Sequence, residues 1–169
     1  NNEQHKTATH KANPLLTDVE YRTLIENAND AILVAQDGKL AFFNQRTAEL
    51  TGYSADDLRL LPFASLIHPD DRVLVVDRYR RRLTGEALPK VYTFRVLKKT
   101  GDDFWVEIRA VRIIWQDHPA ILCFLTDISR YKIAESSLAE SEQRYRNIVE
   151  LSPYGIMTLD VKGFFVSCN

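Results

Sequence analysis

Cysteine is scarce in this chain: Cys123 and Cys168 are the only two in 169 residues. Two isolated thiols make neither a disulfide framework nor a metal-ligand spacing, so a reducing, cytoplasmic setting is the default expectation. Long apolar runs are missing too. AILVA and VLVV, among the longest, fall far short of the ~20 residues that cross a bilayer, and no charged-then-apolar leader opens the chain. Neither sign of charge is in excess. Lys+Arg 22 against Asp+Glu 23 leaves a net charge of −1, which gives no chain-wide case for nucleic acid or an acidic membrane surface.

Catalytic signatures are equally thin. No serine sits in a G-x-S-x-G setting, and TGE and TGD read as turns because no G-x-x-x-x-G-K pattern exists. Beyond the polar opening NNEQHKTATHKANP, read as a flexible tail over 1–14, the histidines are His68 and His118. His68 stands in HPDD, where proline and acids mark a helix start. His118 precedes Pro119 in a hairpin loop. The expectation is a domain that is not an enzyme.

What is present is a globular composition, 45% hydrophobic and 27% charged, enough for one domain with its own core. The chain also begins again. Tyr21, Arg22, Glu26 and Ile32 align with Tyr145, Arg146, Glu150 and Ile156, and a one-residue insertion then brings Gly38 onto Gly163 and Asn44 onto Asn169. That period is too long for a solenoid, whose units run to ~20–50 residues, and fits tandem domains joined by a linker. The second copy breaks off at its second strand, so 145–169 is expected to be a truncated start within a longer protein.

Local signals place the elements of the first copy. Thr17 and Glu20 form a capping-box pattern before a helix ending near Asn27, and Ser54 with Asp57 forms another. Asp-Gly between AILVA and LAFFN is a strong hairpin signal. HPDDR opens a longer helix, with Val73, Val76, Tyr79 and Leu83 read as one stripe and the basic run RYRRRL read as a solvated face.

Three strands follow, VYTFRVLK, DFWVEIRAVRIIW and AILCFLTDI. An odd turn between the first two sets apolar opposite apolar, and an Arg95–Glu107 cross-strand pair is predicted. Phe94, Val106, Ile108 and Phe124 are assigned to the inner face, with Thr126 as its one polar member. Asn44, at the end of the second strand, joins them as a candidate pocket residue, with a capping or turn role as the alternative. Val111, Ile113, Trp115, Ile121 and Leu125 are assigned to the outer face. An antiparallel sheet normally leaves one face wet, so that apolar outer face calls for a cover: the helix around Leu15, Leu16 and Val19, or a second subunit.

The stretches YRTLIENANDAILVAQDGKLAFFN, AELTGYSADDL, LIHPDDR, RVLKKTGDDFWVEIRA and TDISRYKIAE resemble, in order, a PAS domain of the sensory-box type. The resemblance implies an α+β fold. Its five-stranded antiparallel sheet has order 2-1-5-4-3, with helices on one face, an N-terminal helix and a C-terminal linker helix. It implies a PAS domain over 15–131, a linker or signalling helix over 132–144, and a sensory or relay role in a cytoplasmic signalling protein. Such proteins are of the histidine kinase or diguanylate cyclase type, with the effector domain in cis. A non-sensing dimerisation or spacer module is the alternative.

Asp127, Ile128 and Ser129 match the family's D-I-T motif, where the last strand hands over to the output helix. The family's flavin-photosensor cysteine has no counterpart in LRLLPFASLIHP, and its haem-ligand histidine has none in DRVLVVDRYRRRLTG. The resemblance thus leaves no evident cofactor and no metal, with an unidentified small molecule or nothing in the pocket. Homodimerisation is expected through the outer sheet face, the N-terminal helix or the linker, where Tyr131, Ala134, Leu138, Ser141, Tyr145 and Ile148 form a heptad seam.

Overall fold

A computed structural model describes residues 17–150 and two short strands at 157–159 and 165–168. The expected tail, Leu15 and Leu16, and most of the second copy lie outside the described residues. The chain opens with helix α1 (Asp18–Glu26), capped by Thr17 and Glu20 in a reciprocal capping box. Strands β1 (Ala31–Gln36) and β2 (Lys39–Phe43) form a hairpin whose two turn residues, Asp37 and Gly38, have φ of 49° and 77°. Two short helices, α2 (Gln45–Thr51) and α3 (Ala55–Leu60), lead through a 3-10 turn at Phe63–Leu66 to the long helix α4 (Pro69–Leu83). Strands β3 (Val91–Leu97), β4 (Asp103–Trp115) and β5 (His118–Asp127) complete one antiparallel sheet of order β2-β1-β5-β4-β3. Helix α5 (Ser129–Glu150) follows directly, and β6 (Met157–Leu159) pairs with β7 (Phe165–Cys168).

The helices between β2 and β3 cover one face of the sheet. Phe94, Val106, Ile108, Ile121, Cys123 and Leu125 from that face pack with Ile67 and Val75, and a second cluster gathers Leu40, Leu58 and Leu66. Register explains two departures from the expected faces. The β4–β5 hairpin has a two-residue turn, Gln116-Asp117, with both residues at positive φ (48° and 63°), so Ile108 stands opposite Leu125 and Ala110 opposite Cys123. That even turn puts the odd-numbered residues of β5 inward. Ile121 and Leu125 are therefore core residues, and Phe124 and Thr126 belong to the outer phase: Phe124 is half-buried and Thr126 exposed.

Strands β3 and β4 keep the expected parity but pair two residues out. Phe94 faces Val106, Arg95 faces Trp105, and Glu107 faces Thr93. The Arg95–Glu107 pair does not form, because five residues, 98–102, separate the paired ends Leu97 and Asp103.

In α4 the stripe also differs. Val73 is 80% exposed, whereas Val75 and Arg82 are buried and Tyr79 packs against the core. In α1, Val19 is 73% exposed and does not cover the sheet. The linker helix is longer than expected, running unbroken from Ser129 through the boundary set at 144–145 to Glu150, and no residue in it is buried. Among the described residues, no helix is long and apolar enough to cross a membrane.

The first hairpin carries a bulge between Val34 and Ala35, where Val34 pairs with Phe42 and Ala35 with Leu40. The extra residue, Ala41, brings both Leu40 and Phe43 to the core side, where they join the second cluster. The later hairpin repeats this register. Leu33–Phe43, Val34–Phe42 and Ala35–Leu40 map under the sequence alignment onto Met157–Cys168, Thr158–Ser167 and Leu159–Phe165, with the same bulge.

Candidate functional site

Between the sheet and α4 lies a cavity of about 80 Å³, walled almost wholly by apolar side chains. Phe94, Val106 and Ile108 line it as expected from the sequence. Phe124 and Thr126 do not, because β5 presents Ile121, Cys123 and Leu125 there instead. Thr126 donates its hydroxyl proton to Asp30 at 2.8 Å.

Asn44 is fully buried but serves as a structural hub rather than as part of the cavity wall. Its Oδ1 accepts from the backbone N–H of Ile32 (3.0 Å) and of Thr47 (3.2 Å) and from the Thr47 hydroxyl (3.0 Å). Its Nδ2 donates to the carbonyls of Ile25 (2.9 Å) and Asp30 (3.1 Å). One side chain thus caps α2 and ties α1 to β1. The capping alternative holds.

The cavity's polar side chains are Thr47 and Thr51 from α2, Tyr79 and Arg82 from α4 and Tyr92 from β3. Arg82, in the last turn of α4, is buried and donates Nη2 to the Pro89 carbonyl at 2.6 Å. Tyr92 stands beside it, and burial raises its phenol above the ordinary range. Burial also pushes the Cys123 thiol up to about 12, so it behaves as a small core group. Arg82 was open to discovery in the sequence: it follows Val75 and Tyr79 at helical spacing, which places a cation on the apolar stripe.

The second candidate region is the joint between β5 and α5. Asp127 Oδ1 accepts from the Ser129 N–H at 2.9 Å, and Ser129 Oγ accepts from the Trp105 N–H at 3.2 Å. The Ile128 N–H donates to the Trp105 carbonyl at 3.0 Å. The two Trp105 bonds seat the start of α5 on β4 and the Asp127–Ser129 bond caps it, drawing together the three residues singled out as output. Two cations approach the Trp105 ring, with Arg95 Cζ at 5.6 Å and Lys132 Nζ at 5.8 Å from its centroid. Arg95 in turn holds the start of α4. Its Nε donates to Asp71 at 3.0 Å and its Nη2 to Asp70 at 3.1 Å, while the His68 N–H donates to the Arg95 carbonyl at 3.0 Å. Side chains thereby run continuously from the cavity-lining helix α4 through Arg95 and Trp105 to α5. Sequence reading missed this route, because it depends on the β3–β4 register. His68 itself caps α4, accepting from the Asp70 N–H at 3.3 Å.

Residues 20–128, which carry this sheet, its covering helices and the apolar cavity, match the PAS fold family. The chain belongs to the PAS family. No curated protein sequence matches it. Solved structures share the fold. A PAS domain from Colwellia psychrerythraea superposes with a TM-score of 0.58 at 22% identity, covering 66% of this chain and 97% of that one. A sensory box histidine kinase/response regulator from Burkholderia thailandensis gives 0.57 at 20%, covering 75% and 98%. A domain of a sensory box sensor histidine kinase/response regulator from Geobacter sulfurreducens gives 0.52 at 25%, covering 62% and 89%. The PAS match includes Asp127 and Ile128 and ends one residue before α5 begins.

Proposed function

We propose that this PAS domain senses or relays a signal, passing a change in its cavity to α5. The observation that carries the reading is the joint: α5 is seated on β4 by Asp127, Ser129 and Trp105, and the α4 wall of the cavity reaches the same Trp105 through Arg95. A ligand that moves α4 or the sheet alters the seat of α5. The domain itself is non-catalytic and works within a larger cytoplasmic protein whose effector, of the histidine kinase or cyclase kind, lies in cis. The recurrence of the bulged register in β6 and β7 supports reading 145–169 as the start of a second PAS unit.

One observation favours a second role, as a dimerising spacer. Tyr131, Leu138, Tyr145 and Ile148 are 60–66% exposed along α5, an apolar seam suited to a twin helix.

The test uses nitroxides at Arg112→Cys and Glu140→Cys, both exposed positions, in a Cys168→Ser background. Filling the cavity with Ala110→Leu shifts the label-to-label distance, and adding Ser129→Ala abolishes the shift. An unchanged distance in the filled protein removes the sensory reading and leaves the spacer.

A further inference from the structure

We propose that the cavity takes a short aliphatic monocarboxylate, recognised by Arg82. This deepens the sensory reading and rests on it. Arg82 is only 6% exposed and lines the cavity next to Tyr92 and Cys123. A cation withdrawn from water is costly unless an anion or several acceptors replace its hydration. Among the described residues Arg82 has two neutral partners, the Pro89 carbonyl at 2.6 Å and the Tyr92 hydroxyl, and no ion pair. The contrast with Arg81 is direct: on the solvent side, that residue is paired with both Asp77 and Glu86.

A second cation packs on Tyr92 without itself lining the cavity. Arg78 places its Cζ 4.2 Å from the centroid of the Tyr92 ring, and its Nη1 is buried with no hydrogen-bond partner. Two guanidinium groups therefore flank Tyr92, with no carboxylate paired to either among the described residues. Tying the connection from α4 to β3 through Pro89 needs only one neutral donor, so it does not account for a full charge at this place.

Size and lining set the rest of the ligand. The cavity of about 80 Å³ compares with ~30 Å³ per water in the liquid and ~300–1,000 Å³ for sites of drug-sized ligands. That is space for a small molecule and well below that of a drug-sized one. Apart from Arg82, Tyr92, Tyr79, Thr47 and Thr51 the wall is apolar, Phe94, Val106 and Ile108 included; it suits an alkyl tail and offers a second carboxylate no further cation.

Calorimetric titration of the 169-residue chain with sodium butyrate, butyramide and sodium succinate tests this. Butyrate is expected to bind roughly tenfold or more tighter than its neutral isostere, the range that a charge-assisted hydrogen bond supplies, and succinate not to bind. Arg82→Gln should reduce butyrate to the butyramide level, and Arg82→Lys should keep the acid's advantage. If circular dichroism shows that Arg82→Gln does not fold, the acid-to-amide ratio in wild type and Arg82→Lys decides. Equal binding of acid and amide, no butyrate binding at millimolar concentration, or an undiminished preference in folded Arg82→Gln overturns the proposal. Butyrate that binds without changing the Arg112–Glu140 label distance upholds the site and removes the sensory reading. A distance that responds to cavity filling while butyrate fails to bind does the reverse.

Discussion

Arg95 clasps Asp71 through three donors: its backbone N–H at 2.8 Å, Nε at 3.0 Å and Nη2 at 3.0 Å. Both side chains are mostly buried, at 23% and 19% exposure, so this pair is screened less than a surface ion pair. It fastens the start of α4 to the sheet beside the joint of α5.

Asp71→Ala should lower stability by about 1.5–3 kcal/mol, the range for hydrogen bonds to charged groups, and a double-mutant cycle with Arg95→Ala should show coupling. The Arg95 hydrogen bonds hold the Asp71 carboxyl below its usual range. A depressed folded-state value means the contribution is present above the unfolded value of about 3.9 and is lost as pH falls below it. Urea melts at pH 7 and pH 3 should therefore show the penalty of Asp71→Ala shrinking in acid; an equal penalty at both contradicts the assignment.

Asn44 is the most heavily bonded buried side chain described. Asn44→Ala removes a helix cap and strands several buried backbone groups, so the expected loss is about 3 kcal/mol or more. Asn44→Asp should cost nearly as much, because the Ile25 and Asp30 carbonyls would then face a carboxylate instead of an amide N–H. Recovery of wild-type stability in Asn44→Asp would show that capping alone matters.

Gln116 and Asp117 hold left-handed backbone in a two-residue hairpin that usually prefers Asn-Gly. Replacing them by Gln116→Asn with Asp117→Gly should stabilise the chain by about 1 kcal/mol, since side chains at positive φ carry strain of roughly that size. The urea midpoint should rise with an unchanged slope; a lower midpoint counts against the turn geometry.

Cys123, with its thiol pushed up to about 12 by burial, should resist alkylation in the native protein at pH 8. Mass spectrometry of the Cys123 peptide should show iodoacetamide labelling that follows the unfolding curve in urea. Prompt labelling without denaturant would mean the cavity wall opens readily.

The sequence showed most clearly what is decided within a few residues. The capping boxes at Thr17 and Ser54, the Asp37-Gly38 turn and the helix start at His68 all depend on neighbours, and all stand where the pattern put them. Sheet parity between β3 and β4 was legible from alternation, but register was not: a shift of two preserves every face while changing every partner, which is how Arg95 came to face Trp105. The phase of β5 turned on whether its hairpin turn held an even or odd number of residues, and Gln-Asp lacks the glycine that would have announced a two-residue turn. Of the candidate pocket, Phe94, Val106 and Ile108 were therefore found, and Phe124 and Thr126 misplaced. Arg82 was hidden inside RYRRRL, where three neighbouring arginines made one buried cation look like part of a wet surface.

Helix α5 has 22 residues, which at 1.5 Å rise each makes it about 33 Å long. Among the described residues, the hydrogen bonds that tie this helix to the sheet lie at its first turn. Under the proposed relay, such an element would act as a lever with its fulcrum at Ser129: a tilt of about 10° there would sweep the far end through ~6 Å. On that proposal, displacements too small to disturb a packed interior would emerge magnified at Glu150.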